Sequence, residues 1–173
     1  MNITLRAMFF HIGIVALLSG CTGAITVLSP INQKLGAVDR LCVEMRSNNP
    51  EYQGAVEMGA SKLIPELKDE SWFAAVAPCN EMADAPLKLI LTIEKYDRGE
   101  MTLLSRREAE IIMLADLQDG TGAKVGSFRV TSNSASHGGV KVKGVSTSNA
   151  QNLPALAWRA ATDEISDHFD LSK

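Results

Sequence analysis

Apolar residues recur along this chain with two different spacings, and the switches between them give the order of elements. Within residues 38–45, Leu41, Val43 and Met45 face one way while Val38, Arg40, Cys42 and Glu44 face the other, which predicts a first strand. Ser47-Asn48-Asn49-Pro50 ends it and opens a helix: Asn49 suits the cap, Pro50 the first turn, and Glu51 the positive end of the helix dipole. Over residues 52–67 the spacing becomes helical, with Tyr52, Val56, Ala60, Leu63, Ile64 and Leu67 on one stripe. Gly54, Gly59 and Pro65 work against that helix, and Pro65 is expected to kink or end it.

Residues 72–76, after the Asp69-Glu70-Ser71 turn, predict a short second strand. The clearest strand covers 87–96, where Leu87, Leu89, Leu91 and Ile93 alternate with Lys88, Ile90, Thr92 and Glu94. Residues 108–117 and 125–131 flank Asp119-Gly120-Thr121-Gly122, a hairpin signature. Residues 132–148 are rich in Ser, Asn and Gly; within them 140–145 alternate like a lysine-guarded edge strand, and a loop fits the same composition. A final helix follows, capped by Asn152, with Leu153, Leu156, Ala157, Ala160, Ala161, Ile165 and Phe169 as its apolar stripe and Asp163, Glu164, Asp167 and Asp170 on the wet side. The expected fold is α+β: a two-layer sandwich in which a mostly antiparallel sheet of about four to six strands is covered by two helices, in the order β-α-β-β-β-β-α.

The amino terminus carries a separate signal. Arg6 precedes an apolar run over 7–18 that is short for a bilayer span, and the run ends in Leu18-Ser19-Gly20-Cys21. This is the lipobox pattern of a bacterial lipoprotein, in which the thiol of Cys21 takes a diacylglyceryl group and becomes the mature amino terminus. Residues 1–20 then form the signal peptide, 21–36 a lipidated tether interrupted by Pro30, and 37–173 a single periplasmic domain. Thr22 in place of Asp leaves out an inner-membrane retention signal, so the expected location is the outer membrane, facing the periplasm. Without the leader, 153 residues remain, with 16 Lys and Arg against 20 Asp and Glu, a net charge of −4. That balance speaks against nucleic acid and against electrostatic attachment to anionic lipid, so the membrane would be held through the acyl chains, each buried methylene contributing about 0.8 kcal/mol.

With Cys21 lipidated, Cys42 and Cys79 are left, and an even pair in an exported protein points to a disulfide. Two buried free thiols, or a metal pair, are the other states such cysteines take; the few histidines available favour the bridge. Catalytic chemistry finds little to work with. The mature chain holds two histidines: His137 in the Gly-rich stretch, which reads as a solvated loop residue, and His168 near the end of an acidic helix, which reads as a charge partner of the helix terminus. No H-E-x-x-H, G-x-S-x-G or Walker A spacing occurs. Asp116 and Asp119 form a carboxylate pair only on paper, because Asp119 opens a turn, where Asp serves backbone bonding. No catalytic residue, cofactor or metal ligand is assigned; Arg106, Arg107, His137, Lys141 and Lys143 are the candidates for contact with an envelope protein partner.

The lipobox ending in Cys21, the cysteine-bearing strand at Leu41-Cys42-Val43, the helix after it, and Ala77-Pro78-Cys79-Asn80 before the hydrophobic strand together make the chain resemble a family of small bacterial outer-membrane lipoproteins of unknown function. The resemblance implies a disulfide tying the first strand to the segment before the third. The expected role is a non-catalytic interaction or assembly module in the envelope, the alternative being an envelope hydrolase or a carrier of a small ligand.

Overall fold

The computed structural model describes residues 24–31, 38–70, 73–101, 106–134 and 153–170. Its elements are β1 (Ala24–Ser29), β2 (Arg40–Ser47), α1 (Gln53–Asp69), β3 (Ala75–Pro78), β4 (Leu87–Asp97), β5 (Glu100–Met101), β6 (Arg106–Arg107), β7 (Glu110–Asp119), β8 (Lys124–Asn133) and α2 (Leu153–Asp170). Six strands form one mixed sheet in the order β1-β8-β7-β4-β2-β3, and β5 pairs with β6 in a separate small ribbon. The β1–β8, β7–β8 and β4–β7 pairs are antiparallel, while β2 lies parallel to both β3 and β4. This is the expected α+β two-layer sandwich, with a sheet of mixed direction.

Both helices lie on one face of the sheet and touch each other: α1 packs on β2 and β3, α2 on β8, β7 and β1. The face they cover is the apolar half of each alternation. Leu41 and Val43 of β2, Leu87, Leu89, Leu91 and Ile93 of β4, Ile111, Met113, Ala115 and Leu117 of β7, and Phe128 and Val130 of β8 are all buried there. From α2, Trp158 and Phe169 close the core; the Phe169 ring stands edge-on to Phe73 at 6.0 Å and to Phe128 at 6.4 Å. Ser132 answers one buried polar need by donating to the Ala157 carbonyl at 2.7 Å, which pins β8 to α2.

Three expectations change in the structure. The stretch 21–36, expected as a tether, contains β1, an edge strand paired with β8 and continued by Ile31, which packs against Gly126; a Cβ on that glycine would sit 2.8 Å from the Ile31 side chain. The strand expected at 72–76 begins later, at Ala75, and Trp72 lies outside the described residues. Pro65 neither ends nor breaks α1, which runs on to Asp69 because Leu63 and Leu67 on either side of the proline are buried in the core. Asn49 does cap, with its side chain accepting from the Glu51 N–H at 3.0 Å, though it caps one turn of 3-10 helix (Pro50–Tyr52) that leads into α1.

Gly59 has a packing reason. A Cβ there would meet the Trp158 ring at 2.4 and 2.6 Å and Met45 Sδ at 2.5 Å, so the indole of α2 rests directly on the backbone of α1.

Candidate functional site

Alternation along the strands leaves Cys42, Glu44 and Arg46 of β2, Lys88, Ile90 and Thr92 of β4, and Leu114 and Asp116 of β7 on the sheet face away from the helices. Ion pairs stitch this face: Arg129 to Glu94 at 2.7 Å, Lys124 to Asp116 at 2.6 Å, and Arg46 to Glu44 at 3.6 Å. They lie across half-exposed side chains, where such pairs contribute about 0–1 kcal/mol each and serve mainly to keep the face polar. Aggregation through this face is thereby discouraged. The two ends of the sheet are built differently.

At one end, β1 shows the sequence Ala-Ile-Thr-Val-Leu-Ser, with no charge and no proline inside it. One flank pairs with β8 and, because β1 ends the strand order, no strand among the described residues lies beside the other. Its register slips between Val27 and Ser29, leaving Leu28 as the extra residue, and Val27 is 51% and Leu28 55% exposed. Natural sheets blunt such edges with lysines, prolines or inward charges, and β1 uses none of these inside the strand.

At the other end, β3 covers β2 only over Arg40–Val43. The last bond of the ladder runs from the Cys79 N–H to the Val43 carbonyl at 3.1 Å, after which the Glu81 and Met82 N–H groups both turn back to the Pro78 carbonyl. The remaining half of β2 pairs with β4 on one flank and, among the described residues, has no strand on the other. A cleft of about 420 Å³ opens there, lined by Val43, Met45, Ala60, Ile64, Pro78 and Cys79, with Glu44, Lys88 and Asn80 at its polar side.

The bond between Cys42 and Cys79 sets where this opening begins. The two cysteines form the disulfide expected of them, with Cα atoms 4.7 Å apart and 37 positions between them in sequence. Cys42 shares its side of β2 with Arg40, whose guanidinium pairs with Asp84 at 3.0 Å and holds that carboxyl below its ordinary pKa. The disulfide and the ion pair thus fasten the β3–β4 connection across β2.

The sequence-derived candidates divide. Arg107 lies in the β5–β6 ribbon and its guanidinium is 3.2 Å from Asp97; Arg106 occupies the same two-residue strand. His137, Lys141 and Lys143 lie outside the described residues, as does Cys21. Asp119 is a turn residue, its Oδ1 accepting from the Thr121 N–H at 2.8 Å, the Thr121 hydroxyl at 2.6 Å and the Ala123 N–H at 3.0 Å, and these bonds lower its pKa. Asp116 faces Lys124 instead, so the two carboxylates do not form a pair. His168 lies against Phe128 with ring centroids 4.4 Å apart and the planes tilted by 55°, and burial lowers its pKa, which makes it a packed ring where a helix-end cation was expected. On α2, Glu164 titrates above the ordinary carboxylate range, first from burial and then from Asp167 and Asp163 beside it. Among the described residues, no group of three or more His, Cys, Asp or Glu is placed to hold a metal ion, and no helix is long and apolar enough to cross a membrane.

The open edges were missed by the sequence reading. The signal available was the uncharged run at 24–29, which lies next to Pro30 and reads as a linker until its partner strand is seen.

Comparison with known proteins adds a fold. No family model and no curated protein matches the chain. A solved structure of the PelC dodecamer from Paraburkholderia phytofirmans is similar over 84% of this chain and 96% of its own, with a TM-score of 0.56 and 19% identity. The lipoprotein GNA1162 from Neisseria meningitidis aligns over 74% of this chain and 98% of its own at a TM-score of 0.43 and 14% identity. A lipoprotein described as putative from Caulobacter crescentus aligns over 82% and 92%, at 0.41 and 19% identity. At 19% identity the likeness to the PelC structure is one of fold.

Proposed function

We propose that this protein is a lipid-anchored envelope protein, held at the outer membrane by acyl groups on Cys21 and facing the periplasm, where it works as a non-catalytic assembly module. The observation that carries the reading is the uncharged edge of β1, which no strand among the described residues covers, with Val27 and Leu28 more than half exposed, opposite a second such edge that opens into a cleft. A strand edge with exposed apolar side chains is a template for pairing with another chain. The PelC structure, which is similar in fold, is a dodecamer, and this supports an assembled state.

The Leu18-Ser19-Gly20-Cys21 pattern supplies the anchor. Only Thr22 and Gly23 separate Cys21 from β1, so the strand would stand within roughly 10 Å of the lipidated residue. Arg106 and Arg107, together with His137, Lys141 and Lys143, remain our candidates for contact with an envelope protein partner.

Radiolabelled palmitate tests the anchor: the wild-type protein should take up label and fractionate with the outer membrane, and Cys21→Ala should abolish both. Absence of label from the wild type would refute it. Crosslinking in intact cells tests the assembly role, which predicts crosslinks through peptides that contain residues 24–29 or 44–64. A small-ligand carrier is the second reading, favoured by the cleft itself; a small molecule copurifying in equal amount with a monomeric protein would decide for it.

A further inference from the structure

We infer that the occupant of the open half of β2 is β1 of a second copy of this chain, so that copies join head to tail through unlike edges. This rests on the assembly reading and names its interface. In the joined pair, β1 of one copy lies beside residues 45–47 of the next, with Val27 and Leu28 set in the cleft beside Ala60 and Ile64.

Four observations carry it. First, the flank of β1 that no strand among the described residues covers offers backbone N–H and C=O groups beside exposed apolar side chains, a combination that another strand satisfies and a lipid surface does not. Second, the faces agree. Val27 pairs with Phe128 on the helix side of the sheet, and the cleft is walled on its helix side by Ala60 and Ile64 of α1, so a sheet continued from one copy to the next brings Val27 over those residues. Third, the directions agree: following the pairings across the sheet, β1 runs opposite to β2, so two copies standing the same way up meet as an antiparallel pair. Fourth, the chain outside the structure ends close by. With Cys21 three positions before Ala24, every copy must present β1 near the same membrane, and a head-to-tail contact repeated by rotation about the membrane normal keeps every anchor on one side. Pairing β1 with β1 would reverse one strand against the other and leave the cleft unfilled. A head-to-tail contact does not use itself up on a dimer; repeated, it closes a ring or grows a filament.

The test uses the full-length protein in cells carrying Leu28→Cys and Ala60→Cys, singly and together, with the Cys42–Cys79 bond left in place. After mild oxidation, a non-reducing gel should show a ladder longer than a dimer from the double variant only, collapsing on reduction. Val27→Lys with Leu28→Lys should abolish the ladder and the assembled mass while leaving the far-UV spectrum unchanged, since both side chains are more than half exposed. Dimers from Leu28→Cys alone would mean that like edges meet, and would overturn the inference. So would a double variant that gives no ladder, or a lysine variant that keeps its assembled mass and merely leaves the membrane more readily, which would place the patch against lipid. Palmitate uptake measured on the same samples separates the two readings: a ladder without label refutes the anchor and supports the interface, and label without a ladder does the reverse.

Discussion

Replacing Gly59 by alanine tests the packing that holds the two helices over the sheet. The new methyl would sit 2.4 Å from one atom of the Trp158 ring, 2.6 Å from a second and 2.5 Å from Met45 Sδ. Carbon atoms in contact prefer about 3.5–4.0 Å, so both side chains must retreat by roughly 1 Å, and Trp158 is buried with its Nε1 making no hydrogen bond among the described residues that could guide a new position. Overpacking of this kind costs about 1–3 kcal/mol, and with a rigid ring and a second side chain displaced together the upper part of that range applies. Alanine also favours the helix over glycine by about 1 kcal/mol, leaving a net loss of about 2 kcal/mol. Gly54 lies in the same helix with nothing within 4 Å of its would-be Cβ, so Gly54→Ala should raise stability by roughly 0.5 kcal/mol. Urea denaturation of residues 22–173 in the oxidised state, followed by Trp fluorescence and far-UV dichroism, measures both. Opposite signs for the two substitutions are the expected result. If Gly59→Ala is as stable as Gly54→Ala, the close approach of Trp158 to α1 is wrong.

Removing the Cys42–Cys79 bond should cost about 4 kcal/mol on the chain-entropy estimate for a loop of this length, with peptide mapping under non-reducing conditions showing the two peptides linked in the wild type and free in Cys42→Ser. His168 has its pKa lowered by burial, so the unfolded chain binds the proton more readily. Its contribution to stability is therefore complete above about pH 6.5 and is lost as pH falls toward the lowered value; denaturation midpoints across pH 7 to 5 should show this slope, and His168→Gln should flatten it. At Gly126, a valine side chain would collide with Ile31, so Gly126→Val should free the segment after β1 and raise proteolysis between β1 and β2, leaving the β4–β7 ladder protected from hydrogen exchange.

The sequence exposes the elements whose alternation or helical stripe runs unbroken. β2, β4, the β7–β8 hairpin, α1 and α2 all bury one full face, and burial on one face is what writes a period into sequence. The disulfide was legible from compartment and cysteine count, because only two thiols remained to be placed. β1 was not legible: its register slip at Leu28 breaks the alternation, and an edge strand half out of the core has little apolar face to display. Gly59 looked like a helix breaker when taken alone, since the residue that requires it, Trp158, is far away in sequence on α2. Nor could the strand order be read. Placing β2 between two parallel neighbours depends on α1 carrying the chain back over the sheet and on the 79–86 connection returning past β2, and neither path leaves a local pattern. The candidate site suffers most from this, because it consists of the places where pairing stops.

The most direct measurement is the native mass of the protein extracted from the cell envelope in mild detergent, with the amino-terminal peptide sequenced from the same sample. The account predicts a mass of more than two protomers, falling to a single protomer in the Val27→Lys, Leu28→Lys variant, and a peptide that begins at an acylated Cys21. A wild-type protein that is monomeric at its membrane concentration, or one whose amino-terminal peptide carries no acyl group, would contradict it.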